Sequence, residues 1–334
     1  MIGRVKIAQL SVAQGEKSTG YLSLGQLADG SQVDMPVAVI RGKHEGPRMF
    51  LTAGVHATEV EGVEVARRIL NIVDPESLRG VLIVVPVVNV LGFRYSPAAR
   101  YSPVWLEEEA REIDNSFPGN LIGSSIDRAV AIITKEIISG SDYGIDFHCG
   151  RTAVVNLPHV RTYAAHQCPN TNEIDSLMAA FGTDIVLSIP ESRNNIQFSA
   201  SMRGVPSIMV ESGGGLTVSE DIVNNGVKGV LDVMTYIGML DRHYKTRSPS
   251  VTLVDSYGVL APAGGFFKPN VTLGERVIKG QLVGKISDVF GEDFCDVIAP
   301  CSGMVFGLRI APTIVEGTRV MNIGQESNDL NQLP

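Results

Sequence analysis

Basic residues are scarce in this 334-residue chain: Lys and Arg total 28 against 36 Asp and Glu, for a formal net charge of −8. With no basic excess to neutralise phosphates, nucleic-acid partners and anionic membrane surfaces are not expected. Cysteine is scarce too. Cys149, Cys168, Cys295 and Cys301 form no C-x-x-C pair and no zinc-finger spacing, so a disulfide framework is not expected and a reducing, cytoplasmic setting suits them. No apolar run reaches spanning length. The longest, residues 80–93, carries Pro86 and Asn89 and reads as a buried strand. The segment Met1 to Lys6 mixes charge with apolar residues and lacks the apolar stretch and cleavage site of a secretion signal, so secretion is not expected. Repeats and low-complexity tracts are lacking as well. What remains is the composition of a packed globular protein, 44% hydrophobic and 19% charged, long enough for two domains.

Short apolar runs from Val5 to Leu51, such as Tyr21–Leu24 and Val37–Ile40, are punctuated by Gly, Asp and Pro and predict strands and hairpins. Val60, Val63, Ala66, Ile69 and Leu70 then fall at helical spacing, which predicts a helix from near Glu59 running into a strand over 81–88. Further helices are expected over 125–138, 171–181 and 219–236, with strands over 144–148, 184–187 and 207–210. Such alternation predicts an α/β fold with a mixed sheet flanked by helices. Beyond the polar, proline-containing linker 245–250 only short strands with turn signals follow. We therefore expect two domains, 1–246 and a small all-β one over 247–334.

Two of the six histidines stand in a suggestive context. Ala53-Gly54-Val55-His56-Ala57-Thr58-Glu59 leaves an apolar strand and starts a helix, the position at which open α/β sheets bind ligands. In Asp146-Phe147-His148, period-two alternation puts Asp146 and His148 on one face at a strand end. Either motif alone is weak. Together His56, Glu59 and His148 offer the His₂Glu set of a catalytic zinc site, with Asp146 to orient His148. The strand Ser207–Val210 delivers Glu211 at its end as a candidate base for activating water, and Gly213-Gly214-Gly215 would let backbone approach a ligand. There is no G-x-G-x-x-G, G-x-S-x-G or H-E-x-x-H. Cys149 beside His148 points to the opposite face, which argues against a Cys/His nucleophile. The run Glu107–Glu109 reads as a solvated helix face. His44, His159, His166 and His243 are read as structural.

In this order the motifs resemble the succinylglutamate desuccinylase/aspartoacylase family, related to the zinc carboxypeptidases, over nearly the whole chain. The segments carrying the likeness are Gly54–Glu59, Asn89–Phe93 with Arg100–Pro103, Asp146–His148, and Gly204 through Glu211 to the triple glycine. The resemblance implies a zinc carboxypeptidase-like fold and one Zn²⁺ per chain held by His56, Glu59 and His148. Glu211 would activate water, and Arg100, or Arg94 close by, would stabilise the oxyanion. It also implies a lipoyl-like barrel-sandwich at the C-terminus, carried by 277–284 and 298–305. The segment Ser287–Phe294 lacks the lysine a carrier domain needs.

Ala57 and Thr58 replace the family's middle pair between the two ligands, and a more informative departure lies further on. Where the family carries Asp-Leu-Asn-Arg-x-Phe-Pro-Gly, this chain has Glu112-Ile113-Asp114-Asn115-Ser116-Phe117-Pro118-Gly119. Asp114 and Asn115 thus replace the pair that grips a substrate carboxylate, and a lost guanidinium removes a bidentate clamp. The expected substrate is a small N-acyl amino acid or N-acyl amine that is neutral or cationic near Asp114. Arg193 and Arg203 are candidates to restore anion binding. A carboxypeptidase-like peptidase lacks its clamp here, and a non-catalytic binding protein would have no need of the retained ligands and base. A homo-oligomer is compatible with the sequence.

Overall fold

The computed structural model describes residues 4–7, 9–95, 112–163, 169–189 and 194–327. Its strands in chain order are β1 (Val5–Ile7), β2 (Leu10–Val12), β3 (Glu16–Gln26), β4 (Gln32–Arg41), β5 (His44–Ala53), β6 (Arg79–Val85), β7 (Tyr143–His148), β8 (Val154–Tyr163), β9 (Ile185–Ile189) and β10 (Ser207–Gly214). There follow β11 (Val251–Leu260), β12 (Gly265–Pro269), β13 (Arg276–Val277), β14 (Leu282–Ser287), β15 (Asp293–Ile298), β16 (Gly303–Arg309), β17 (Thr313–Ile314) and β18 (Arg319–Glu326). Twelve make one mixed sheet in the order β13-β16-β18-β11-β9-β8-β10-β7-β5-β6-β4-β3. At its middle β10, β7, β5 and β6 run parallel, so their carboxyl ends lie on one edge. Their buried residues are mostly apolar, as strands covered on both faces require, with most of the polar exceptions gathered towards the carboxyl ends.

The predicted helices form at Val60–Ile72, Ser125–Ile133, Thr171–Phe181 and Glu220–Tyr236. The first buries Val63, Ala66 and Ile69 from its periodic stripe. Ser124 and Asp127 close a reciprocal cap at the start of the second, which loosens into a π turn over Thr134–Ile138. The first and third helices both pack against the last. No helix among the described residues is long and apolar enough to cross a membrane.

The strands after residue 247 do not stand apart from the main sheet. β11 pairs in parallel with β9, and β16 pairs with β8, so β11, β13, β16 and β18 extend it. The other four make a second sheet, β15-β14-β12-β17. A separate apolar cluster draws Val259, Val305 and Ile323 from one sheet and Phe267, Ile286 and Val297 from the other.

Candidate active site

The carboxyl ends of β5, β7 and β10 meet at one cavity of about 370 Å³, whose lining includes His56, Glu59, Asp114, His148, Arg151, Asn156, Arg161, Asn195 and Glu211. β5 ends in a turn made possible by Gly54, whose φ of +63° suits a residue without a side chain, and where a Cβ would press on Pro86 O and Val87 Cα at 3.2 Å. That turn presents His56. Glu59 is the residue at the N-terminal boundary of the helix Val60–Ile72, where the positive end of the helix dipole favours a carboxylate.

His56, Glu59 and His148 each offer a ligand atom, all within 4.8 Å of one another. His56 Nδ1 lies 2.9 Å from Glu59 Oε1, His148 Nδ1 lies 3.1 Å from Glu59 Oε2, and the two Nδ1 atoms are 3.2 Å apart. The Cys149 N–H also donates to Glu59 Oε2 at 3.1 Å. Behind this group His148 Nε2 sits 3.0 Å from Asp146 Oδ2, and Thr52 donates to Asp146 Oδ1 at 2.6 Å. The alternation read from Asp146-Phe147-His148 therefore corresponds to a direct contact. Burial works against charge on His148, but Asp146 and Glu59 outweigh it and hold the imidazole well above its ordinary pKa. On Glu59 burial is likewise outweighed, by the two imidazoles, and its pKa is lowered. Two nitrogens and a carboxylate converging on one point are a donor set that fits a divalent cation.

Glu211 is buried beside them. Arg161 Nη2 lies 3.1 Å from its Oε1, and Asn156 Nδ2 donates to its Oε2 at 3.1 Å. Its pKa is raised, chiefly by burial and further by Glu59, with Arg161 and the imidazoles pulling the other way. Arg161 faces Met209 across the β8–β10 pair, so Glu211 is its diagonal neighbour on the same face.

Glu211 and Gly213 face His159 and Asn156, so the register slips there and leaves Pro158 in the irregularity, where its missing N–H is tolerated. That proline hid β8 from a periodicity reading, and with it Asn156 and Arg161. Arg151, in the turn before β8, was missed as well. Ser256, Phe306, Arg319 and Asn322 reach the cavity from the later strands, and no local sequence signal places them there.

Asp114 is at the cavity, its Oδ2 3.5 Å from His56 Nε2, while Asn115 is exposed. Arg94 is exposed at the end of the short helix Val90–Tyr95. Arg203, also exposed, donates to Ser199 O and Oγ. None of these three is in the cavity lining. Arg100, Arg193, His166 and the run Glu107–Glu109 lie outside the described residues. The triple glycine serves a different purpose from the one expected. A Cβ on Gly213 would lie 1.8 Å from Glu61 Oε2, and one on Gly214 would strike Val154 O and Gly150 O, so these glycines make room for the protein itself. Cys149 is buried, and burial raises its thiol pKa, which leaves it without nucleophilic character.

A mixed α/β sheet bearing a group able to hold a metal at its parallel carboxyl ends defines the class of protein. The model of the succinylglutamate desuccinylase/aspartoacylase catalytic domain matches residues 45–237, and the chain belongs to that family. It is 24% identical over 279 residues to an N-alpha-acetyl-L-2,4-diaminobutyric acid deacetylase of Halomonas elongata, covering 81% of this chain and 80% of the relative. A crystal structure of a succinylglutamate desuccinylase from Silicibacter matches with a TM-score of 0.82 at 23% identity, over 95% of this chain and 97% of the other. The product-bound ectoine utilization protein EutE (DoeB) of Ruegeria pomeroyi gives the same TM-score and identity over 92% and 95%. These two structures share the fold.

Proposed function

We propose that this protein is a zinc-dependent deacylase that cleaves the amide of a small N-acyl amino acid or N-acyl amine. The observation that carries the reading is the convergence of His56, Glu59 and His148 beside a separate buried carboxylate, Glu211, in one cavity. One Zn²⁺ per chain held by the three ligands would polarise the acyl carbonyl and acidify water. Glu211 takes the proton of the attacking water and returns it to the leaving nitrogen. Its raised pKa makes it a stronger base than a solvated carboxylate, and Arg161 and Asn156 fix the direction of its oxygens. Asp146 holds His148 in the orientation that turns Nδ1 inward.

For the substrate, Asp114 favours a cationic or neutral group over an anionic one. Its Oδ1 is buried with no hydrogen-bond partner among the described residues, an acceptor suited to an ammonium. The relative in Halomonas bears the name of a substrate with a free side-chain amine, which supports the same preference.

The test is turnover on a panel of Nα-acetyl-L-2,4-diaminobutyrate, N-acetylaspartate and N-succinylglutamate, before and after chelation. Expected are zinc near one equivalent, loss of turnover on chelation, recovery with added zinc, and preference for the amine-bearing substrate. Full activity in the chelated protein would overturn the metal; preference for the acidic substrates would overturn the role of Asp114.

A further inference from the structure

We infer that Arg151 is the carboxylate-binding residue of this pocket, supplying from the β7–β8 turn the guanidinium that Asn115 lacks. The inference rests on the deacylase reading above and names the other end of its substrate. Three arginines line the cavity: Arg151, Arg161 and Arg319. Arg161 is committed to Glu211. Arg319 arrives from β18, whereas Arg151 stands directly over the candidate metal group, with Nη2 3.0 Å from His56 Nε2 and Nε 3.9 Å from Glu59 Oε1.

The backbone beneath Arg151 is fixed. Its carbonyl accepts from Val154 N–H and Gly215 N–H, both at 3.1 Å, and Gly150 N–H donates to Gly213 O at 2.9 Å. The side chain above is 58% exposed. A fixed base under an open guanidinium suits a ligand clamp.

With a cation on Nδ1 the His56 ring would carry its proton on Nε2, for which Asp114 Oδ2 at 3.5 Å is the acceptor on hand, and the Arg151 fork would stay open to a ligand. Among the described residues no ion pair joins Arg151 to Asp114. The guanidinium sits next to where the scissile acyl group must lie, within reach of a carboxylate on the adjoining carbon, and binds it bidentately. Arg151 and Asp114 then give the pocket one pole of each sign, matching an N-acyl amino acid with a cationic side chain.

The test compares zinc-loaded wild type, Arg151→Gln and Arg151→Lys on Nα-acetyl-L-2,4-diaminobutyrate and on its decarboxylated counterpart, N-acetyl-1,3-diaminopropane. Calorimetric titration with L-2,4-diaminobutyrate and 1,3-diaminopropane accompanies it. In Arg151→Gln, KM and the product dissociation constant for the carboxylate-bearing ligands should rise by about 10- to 150-fold, with kcat, zinc content and the values for the carboxylate-free ligands little changed. Arg151→Lys should show a smaller loss with the same selectivity, and it decides the matter if the glutamine variant fails to fold. Equal losses on both ligands, no loss on either, or a fall in kcat alone would overturn the assignment, the last pointing to oxyanion stabilisation. If wild type turns over no N-acyl compound, the deacylase reading fails by itself. Calorimetry still decides Arg151 in that case: carboxylate-dependent binding abolished by the glutamine variant supports it, and no binding of diaminobutyrate to wild type overturns it.

Discussion

Replacing Glu211 with Gln keeps the shape of the side chain and removes only its capacity to accept a proton. Arg161 and Asn156 each direct one donor at one carboxylate oxygen. Glutamine has a single oxygen to share between them, so one donor would face an NH₂. Asn156 can relieve this by turning its amide, since its Oδ1 is buried with no partner among the described residues and would accept from the new NH₂. The stability cost thus stays near about 1 kcal/mol, the scale of one weakened hydrogen bond. Loss of the base is far larger, about 10²- to 10⁴-fold in kcat, equivalent to roughly 3–5 kcal/mol of barrier. His56, Glu59 and His148 are untouched, so zinc content should equal that of wild type. The assay pairs zinc stoichiometry and a urea midpoint with kcat on the preferred substrate. A kcat within tenfold of wild type would refute the role of Glu211, and loss of zinc would show that its carboxylate is a ligand.

Arg161→Met removes the charge that holds down the pKa of Glu211, the proposed base. The acidic limb of the kcat/KM profile should move to higher pH, and an unmoved limb would refute the coupling. His159 is buried against Phe306, its Nδ1–H donates to Leu157 O at 2.7 Å, and burial with Arg161 nearby depresses its pKa to about 3. The unfolded chain takes up that proton near pH 6.5 and the folded one only near 3, so the stabilising effect is full above 6.5 and is lost as pH falls. Wild type should lose about 2 kcal/mol between pH 7 and 5 through this group. Urea unfolding of His159→Phe at the two pH values should lack that loss, and an identical pH dependence in both proteins would refute it.

The parts of the site that could be read from sequence are those held by local geometry. His56 and Glu59 share one strand-to-helix turn, Asp146 and His148 share one strand face, and the stripe of Val63, Ala66 and Ile69 fixes the helix behind them. What could not be read depends on pairing across long stretches of chain. Pro158 and a register slip hide β8, so Asn156 and Arg161 carry no periodic signal although both contact Glu211. The approach of Asp114 to His56 Nε2 joins a short 3₁₀ turn to a distant loop, and only the family resemblance of residues 112–119, not any local periodicity, points to it. The strands after residue 247 look like a self-contained set of hairpins. Only the parallel pairing of β11 with β9 and the contact of β16 with β8 reveal that four of them extend the main sheet.

That shared sheet bears on how the protein comes into being. The wall formed by Ser256, Phe306, Arg319 and Asn322 closes a pocket whose reactive groups were all synthesised by residue 211. A ribosome-bound chain that has just released β10 holds every candidate ligand and the candidate base, yet lacks the wall that the later strands supply. Because β18 lies between β11 and β16, that wall is complete only once β18 is paired with both, a contact of the long-range kind that forms slowly.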